Sequence, residues 1–139
     1  MANNYIVLKN SSEETLKAAS AVQAVLTTVG GEDKFLDPLM RELAKGLVYA
    51  YAENKNLRIF KTAAAWNHVH VLMANCENLA DVLNDMKAYV AAGLKKAYPE
   101  IGKRVFGLII VLVVFSDEHY TNCISYLSRH LPDNSKPAS

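Results

Sequence analysis

The chain is poor in cysteine and has no long uninterrupted apolar segment. Cys76 and Cys123 are the only cysteines among its 139 residues, so a disulfide framework is excluded and a reducing cytoplasm is the expected compartment. The longest apolar run covers residues 105–115, which is too short for a membrane-spanning helix and too late in the chain for a signal peptide. The sequence therefore predicts a protein without membrane anchor or export signal.

A strong excess of charge of one sign is also absent. The 15 Lys and Arg and 14 Asp and Glu give a formal charge of +1, which argues against a strongly basic protein that binds nucleic acid over its whole surface. The distribution is uneven, with five basic and seven acidic residues in 1–54, eight and four in 55–104, and two and three in 105–139. The excess positive charge therefore lies on the middle segment, which allows one local basic face.

In other respects the composition is that of an ordinary globular domain, with 51% hydrophobic and 21% charged residues. Short runs rich in β-branched residues predict strands over residues 5–8, 57–62, 67–73 and 105–115. The last of these is apolar on both faces, so it is expected to be a central strand or an interface strand.

Helix start and stop signals divide the rest of the chain. A capping box at Ser11 and Glu14 predicts a helix to residue 29, although the β-branched residues in 22–29 leave a strand there as the alternative. Further helices are predicted from Asp37-Pro38 to about residue 53, over 79–98 and over 116–130.

This order of elements predicts an α+β fold, a ferredoxin-like or RRM-like antiparallel sheet with helices packed on one face. The sequence shows no internal repeat and no linker, so residues 1–131 are expected to form one domain. Residues 132–139 are polar and rich in proline, and they are expected to be a flexible tail.

Two histidines on one predicted strand are the first candidates for chemistry. His68 and His70 are two residues apart, so both side chains leave the same face while Val69 and Val71 point into the core. Two imidazoles placed in this way can share one divalent metal ion. The alternative is a pair of surface histidines without a ligand.

Tyr126 and His130 on the last predicted helix are the second candidates. Their spacing of four residues puts both side chains on one helix face. A tyrosine hydroxyl attacks phosphorus if its proton is removed and a metal ion offsets the phosphate charge. His130 would complete a three-histidine site beside this nucleophile. The alternative is an ordinary half-buried aromatic on an amphipathic helix, and Tyr120 is the nearest other tyrosine.

Together, these residues resemble the single-tyrosine HUH transposases, where HUH denotes His, a hydrophobic residue and His. The family includes bacterial insertion-sequence transposases and relatives associated with repetitive extragenic palindromes. The resemblance covers residues 47–130 and rests on four motifs in order: Asn67-His68-Val69-His70, Met86-Lys87, the segment 102–107 and Tyr126. An ordered set of motifs is more specific than a histidine pair alone.

The resemblance implies a metal-dependent enzyme that cuts and rejoins single-stranded or hairpin DNA. His68 and His70 match the paired ligands of a Mg²⁺ or Mn²⁺ ion, and His130 matches a third polar ligand that is often glutamine. Tyr126 matches the nucleophile that forms a 5′-phosphotyrosine link. The family also implies DNA contacts by basic and aromatic residues, here Lys87, Lys95, Lys103, Arg104 and Trp66.

The sequence departs from the family pattern at two places. Ala65-Trp66 stands where members usually carry Met-Pro, and residues 108–114 lack the usual aromatic and basic side chains. These departures favour either a catalytically inactive, domesticated DNA-hairpin-binding module or a homodimer joined through the 105–115 strand. Two hypotheses lie outside the resemblance: a plain metal-binding domain with no nucleic-acid role, and a zinc site formed by His68, His70 and Cys76.

Overall fold

The computed structural model describes residues 6–29, 36–101 and 105–129. These ranges contain strands β1 (Ile6–Leu8), β2 (Ala21–Thr28), β3 (Ile59–Ala64), β4 (His68–Ala74) and β5 (Phe106–Val114). They also contain helices α1 (Glu13–Ala18), α2 (Pro38–Lys55), α3 (Leu79–Ala97) and α4 (Asp117–Arg129), with a 3₁₀ turn at Pro99–Ile101.

The strands form a single mixed sheet in the order β1-β5-β2-β4-β3. Strand β2 pairs antiparallel with β4 and β5, and β3 pairs antiparallel with β4. Strand β1 adds a short parallel pair at the edge, in which Val7 lies opposite Ile110. The predicted α+β fold is confirmed. The parallel strand β1 joins the antiparallel strands, so the sheet is mixed.

The prediction of a helix that reaches residue 29 is wrong beyond α1. Ser12, rather than Ser11, caps this helix by accepting a hydrogen bond from Thr15 N at 3.2 Å, and the helix ends at Ala18. The next residues form β2, whose residues 21–26 are buried on both faces between β4 and β5. Pairing with two neighbours outweighs the helix propensity of the alanines and leucine, so the strand alternative is confirmed.

Helices α2 and α3 cover one face of the sheet, which we name the helix-pair face. Asp37 caps α2 through a hydrogen bond from Met40 N to Oδ1 at 3.0 Å, and Pro38 occupies its first turn. The core on this face includes Val69 and Val71 of β4, with α2 and α3 residues such as Val48 and Leu83. None of the helices in the described ranges is long and apolar enough to cross a membrane.

Helix α4 packs against the opposite face, which we name the α4 face. Its Cys123 and Leu127 form a smaller core with Ala63 and Leu72 of the sheet and Val114 of β5. The expectation of helices on one face therefore holds for α2 and α3. Helix α4, which follows β5, packs on the other face. Small side chains, Ala21, Ala63 and Ala65, line part of this smaller core.

Strand β5 contains most of the long apolar run and lies inside the sheet. Strand β2 occupies one of its edges, and β1 pairs with Ile109–Val111 on the other. The Asn10 side chain continues this second edge, since its Nδ2 donates to Val113 O at 2.9 Å and its Oδ1 accepts from Val113 N at 2.8 Å. Of the two predicted roles, the structure thus shows the central strand.

Candidate functional site

The two strand histidines lie side by side on the α4 face. Val69 and Val71 are fully buried in the opposite core, so the alternation of β4 places His68 and His70 together, as predicted. Their ring centroids are 4.7 Å apart, in an edge-to-face arrangement. The sheet itself therefore fixes the separation of the two imidazoles.

Hydrogen bonds to amide oxygens set the tautomer of each histidine. Nδ1 of His68 lies 2.5 Å from Oδ1 of Asn67, and Nδ1 of His70 lies 2.6 Å from Oε1 of Gln23. An amide oxygen only accepts, so each Nδ1 carries the hydrogen and donates it. Each Nε2 then keeps its lone pair, which is the form that binds a metal ion.

Gln23 is itself held in place by helix α4. It is buried at 8% exposure, and its Nε2 donates to Sγ of Cys123 at 3.7 Å. This contact orients the amide so that its oxygen faces His70. A chain of side chains therefore connects α4 through β2 to the histidine pair on β4.

Burial keeps both imidazoles neutral. It lowers the pKa of His68 below its ordinary value. The pKa of His70 falls to about 4, first because of burial and second because of the neighbouring His68. At neutral pH, neither ring has to lose a proton before it binds a cation.

Tyr126 lies beside this pair within the same chain. Its ring centroid is 6.5 Å from that of His70, and its side chain is 46% exposed. The adjacent Leu127 is fully buried and anchors this turn of α4 to the sheet. Tyr120, by contrast, contacts Phe60 edge to face at 5.2 Å near the start of α4. The geometry thus separates the two tyrosines, with Tyr126 next to the histidines.

The other predicted site residues are not all brought to the α4 face. His130, Lys103 and Arg104 lie outside the described residues. Lys87 and Lys95 are on α3, which packs on the helix-pair face. The Lys87 ammonium group donates to Gly107 O at 2.9 Å, so it already stabilises the backbone at the start of β5.

Trp66 lies in the turn between β3 and β4, directly before the histidine segment. Its side chain is half-buried, and its carbonyl oxygen accepts a hydrogen bond from Leu36 N at 2.5 Å. Among the predicted DNA-contacting residues that the structure describes, Trp66 is the closest in sequence to the metal-ligand candidates His68 and His70.

The donor set fits a metal ion only in part. Residues 6–29, 36–101 and 105–129 contain no cluster of three or more His, Cys, Asp or Glu side chains that is arranged to hold a metal ion. Cys76 packs beside the helix-pair core, on the other side of the sheet from the histidines, so the zinc hypothesis that includes it is wrong. The described site offers two neutral imidazoles, which suffices for an ion that completes its coordination with oxygen atoms from substrate or water.

Gln23 belongs to this site, although the sequence pattern predicts a helix at its position. It lies 47 positions from His70 along the chain. Only the strand alternative for residues 22–29 could have revealed it, because a strand paired with β4 places its polar side chains on one of the two sheet faces.

A comparison with solved structures finds a similar fold. The chain resembles the structure of a REP-associated tyrosine transposase bound to a REP hairpin, with a TM-score of 0.58 and 9% sequence identity. The match covers 78% of this chain and 64% of the transposase chain. At this identity, the likeness establishes the shared fold. No family model and no curated protein matches the sequence.

Proposed function

We propose that the protein is a metal-dependent single-stranded DNA endonuclease and strand transferase that uses Tyr126 as its nucleophile. The observation that carries this proposal is the position of Tyr126, 6.5 Å from His70 between ring centroids and on the same face of the sheet. An exposed phenol beside two imidazoles with available Nε2 lone pairs provides the two parts that phosphodiester transfer through tyrosine requires.

In the proposed reaction, Oη of Tyr126 attacks the phosphorus of a phosphodiester. An O–P bond forms to the tyrosine while the bond from phosphorus to the 3′ oxygen breaks, which leaves a 5′-phosphotyrosine and a free 3′-hydroxyl. The phenol gives its proton to solvent and the departing oxygen takes one up, so protons balance. Because the new ester replaces an ester, attack by a 3′-hydroxyl reverses the step and joins strands.

His68 and His70 are the proposed ligands of the ion, with His130 as the proposed third. When bound, Mg²⁺ or Mn²⁺ would supply positive charge at the reacting phosphate. Imidazole ligands favour Mn²⁺ over Mg²⁺, since Mg²⁺ prefers oxygen donors. Gln23 and Asn67 hold the imidazoles in the tautomers that bind a cation.

Two further observations support a DNA substrate. The transposase with the similar fold was bound to a hairpin, and a DNA hairpin with a single-stranded flank is therefore the proposed ligand here. The excess of positive charge also lies in residues 55–104; of this segment, Lys61 lies on β3 beside the histidine strand, whereas Lys87 and Lys95 lie on α3 and the helix-pair face. A basic segment of limited size suits the binding of DNA at one defined site better than binding along a long duplex.

Adduct formation tests the proposal directly. Labelled single-stranded and hairpin oligonucleotides are incubated with the protein and Mn²⁺ or Mg²⁺, and the mixture is separated under denaturing conditions. The wild type is expected to form a covalent protein–DNA species, Tyr126→Phe none, and Tyr120→Phe the wild-type amount. An unchanged adduct in Tyr126→Phe would assign the nucleophile to another residue.

The second candidate is a catalytically inactive DNA-hairpin-binding module of the same fold. It is favoured by the departures from the family pattern at Ala65-Trp66 and in residues 108–114. This candidate predicts hairpin binding with the same affinity in Mn²⁺ and in EDTA, and no adduct under either condition.

A further inference from the structure

A recess on the α4 face lies at the other end of β2 from the histidines. It is a cavity of about 390 Å³ beside Ala21 and Val114, at the point where α4 begins. Its lining includes three aromatic rings and two charged groups: Phe60, Phe115, Tyr120, Arg58 and Asp117. Its volume falls within the range of about 300–1,000 Å³ that is usual for small-molecule sites.

The aromatic rings of this cavity form an ordered cluster. Phe60 and Tyr120 meet edge to face at 5.2 Å, and the guanidinium of Arg58 lies 5.2 Å from the Phe60 ring centroid. Phe115 remains 57% exposed, although its ring is stacked on His119. Aromatic faces and a guanidinium plane are the groups on which an unpaired nucleobase stacks.

The charges of the cavity indicate which part of a nucleotide it suits. Arg58 and Asp117 carry opposite charges, so the lining has no net attraction for a phosphate anion. Asp117 is an acceptor only, and it can receive hydrogen bonds from the amino or imino groups of a base. Guanine presents both N1–H and N2–H donors on one edge, while thymine presents only N3–H.

The cavity is within reach of a strand held at Tyr126. Tyr120 and Tyr126 belong to the same helix, and six residues correspond to about 9 Å along its axis. On the sheet, Ala21 beside the cavity and Val25 opposite His70 are four residues apart, or roughly 13 Å along β2. A nucleotide close to the reacting phosphate can therefore lie in the cavity.

We propose that this cavity binds one unpaired nucleobase, preferably guanine, of the DNA strand that Tyr126 attacks. The proposal rests on the proposed function for the identity of that strand. The base-recognition pocket itself is formed by Phe60, Tyr120, Phe115 and Arg58, with Asp117 as the hydrogen-bond acceptor. The pocket would fix which phosphate of a flexible strand lies opposite Tyr126.

Titration with mononucleotides tests the pocket without any need for catalysis. The amide and aromatic NMR signals of Phe60, Phe115 and Tyr120 are followed while dGMP or TMP is added. The pocket predicts saturable shifts of these signals with dGMP and weaker binding of TMP. Absence of shifts with both nucleotides at millimolar concentration would overturn the pocket, and equal binding would overturn the role of Asp117.

Strand binding by variants provides the second readout, with Tyr126→Phe as the background so that no strand is cut. Phe60→Leu keeps an apolar side chain but removes the stacking face, and Arg58→Gln changes an exposed residue. Each is expected to weaken binding of a guanine-containing oligonucleotide roughly 5- to 100-fold. The matched control is Tyr49→Leu, which removes an exposed aromatic from α2 on the other side of the sheet.

The two proposals fail in different ways. Nucleotide shifts at the pocket with no adduct from the wild type would retain the pocket and reject the nuclease. An adduct that depends on Tyr126, together with unchanged binding by Phe60→Leu and Arg58→Gln, would retain the nuclease and reject the pocket.

Discussion

Replacement of Gln23 tests whether the histidine pair is prepared for metal by its neighbours. In Gln23→Leu the acceptor for His70 Nδ1, which lies 2.6 Å away in the wild type, is lost. The imidazole is largely buried, so its N–H would remain without a partner or the ring would change tautomer. An unsatisfied buried donor costs about 1–3 kcal/mol of folding free energy, and loss of such a support typically lowers metal affinity roughly 10- to 100-fold.

Gln23→Glu is the matched variant, because its carboxylate accepts from His70 Nδ1 at the same position. Calorimetric titration with Mn²⁺ is expected to give roughly 10- to 100-fold weaker binding for Gln23→Leu and near-wild-type or tighter binding for Gln23→Glu. The ¹⁵N shifts of His70 report the tautomer directly. Unchanged Mn²⁺ affinity and an unchanged tautomer in Gln23→Leu would refute the argument that Gln23 positions this ligand.

Two further predictions concern stability. The pKa of His70 is about 4 in the folded protein, against an ordinary value of 6.5. Between these pH values the unfolded chain therefore binds more protons than the folded one. The free energy of unfolding should fall as the pH drops from 6.5 towards 4, by at most about 3 kcal/mol. Urea unfolding at pH 7.5 and 4.5 checks this, and an equal loss in His70→Gln would contradict it. Leu127→Ala removes a fully buried side chain beneath α4 and should cost about 2–5 kcal/mol; a loss below about 1 kcal/mol would show that α4 is not packed as described.

The elements with strong local signals could be predicted from the sequence. The Asp37-Pro38 start of α2 and the apolar stripe of α3 define their helices without reference to the rest of the chain. The two-residue period of a strand is likewise enough to place His68 and His70 on one face. These features depend only on neighbours in sequence.

Features that depend on distant contacts could not be predicted. Strand β2 is buried on both faces, so it lacks the alternation that identifies a half-buried strand. Its Gln23 contacts Cys123 from 100 positions away. The docking of α4 across the second face of the sheet, which brings Tyr126 to His70, arises from the packing of Leu127 and Cys123 rather than from any local motif.

The proposed DNA contacts show the same limit. Lys87 and Lys95 belong to the charged middle segment, yet the apolar stripe of α3 directs that helix to the helix-pair face. Charge in a segment does not determine the side of a sheet on which it lies. Homodimerisation through residues 105–115 stays a prediction. Because β1 and β2 flank β5 and the Asn10 side chain bonds to Val113 on the β1 side, such a dimer would have to use the β1-side edge of β5 before Ile109.

Tyr126 is proposed to form a covalent bond to DNA. The most direct test is mass spectrometry of the protein after incubation with a single-stranded oligonucleotide and Mn²⁺, followed by protease and nuclease digestion. A nucleotide phosphate is expected on the peptide that contains Tyr126, attached to that side chain. A phosphate on Tyr120 or another residue, or no modified peptide under conditions in which the DNA is bound, would contradict it.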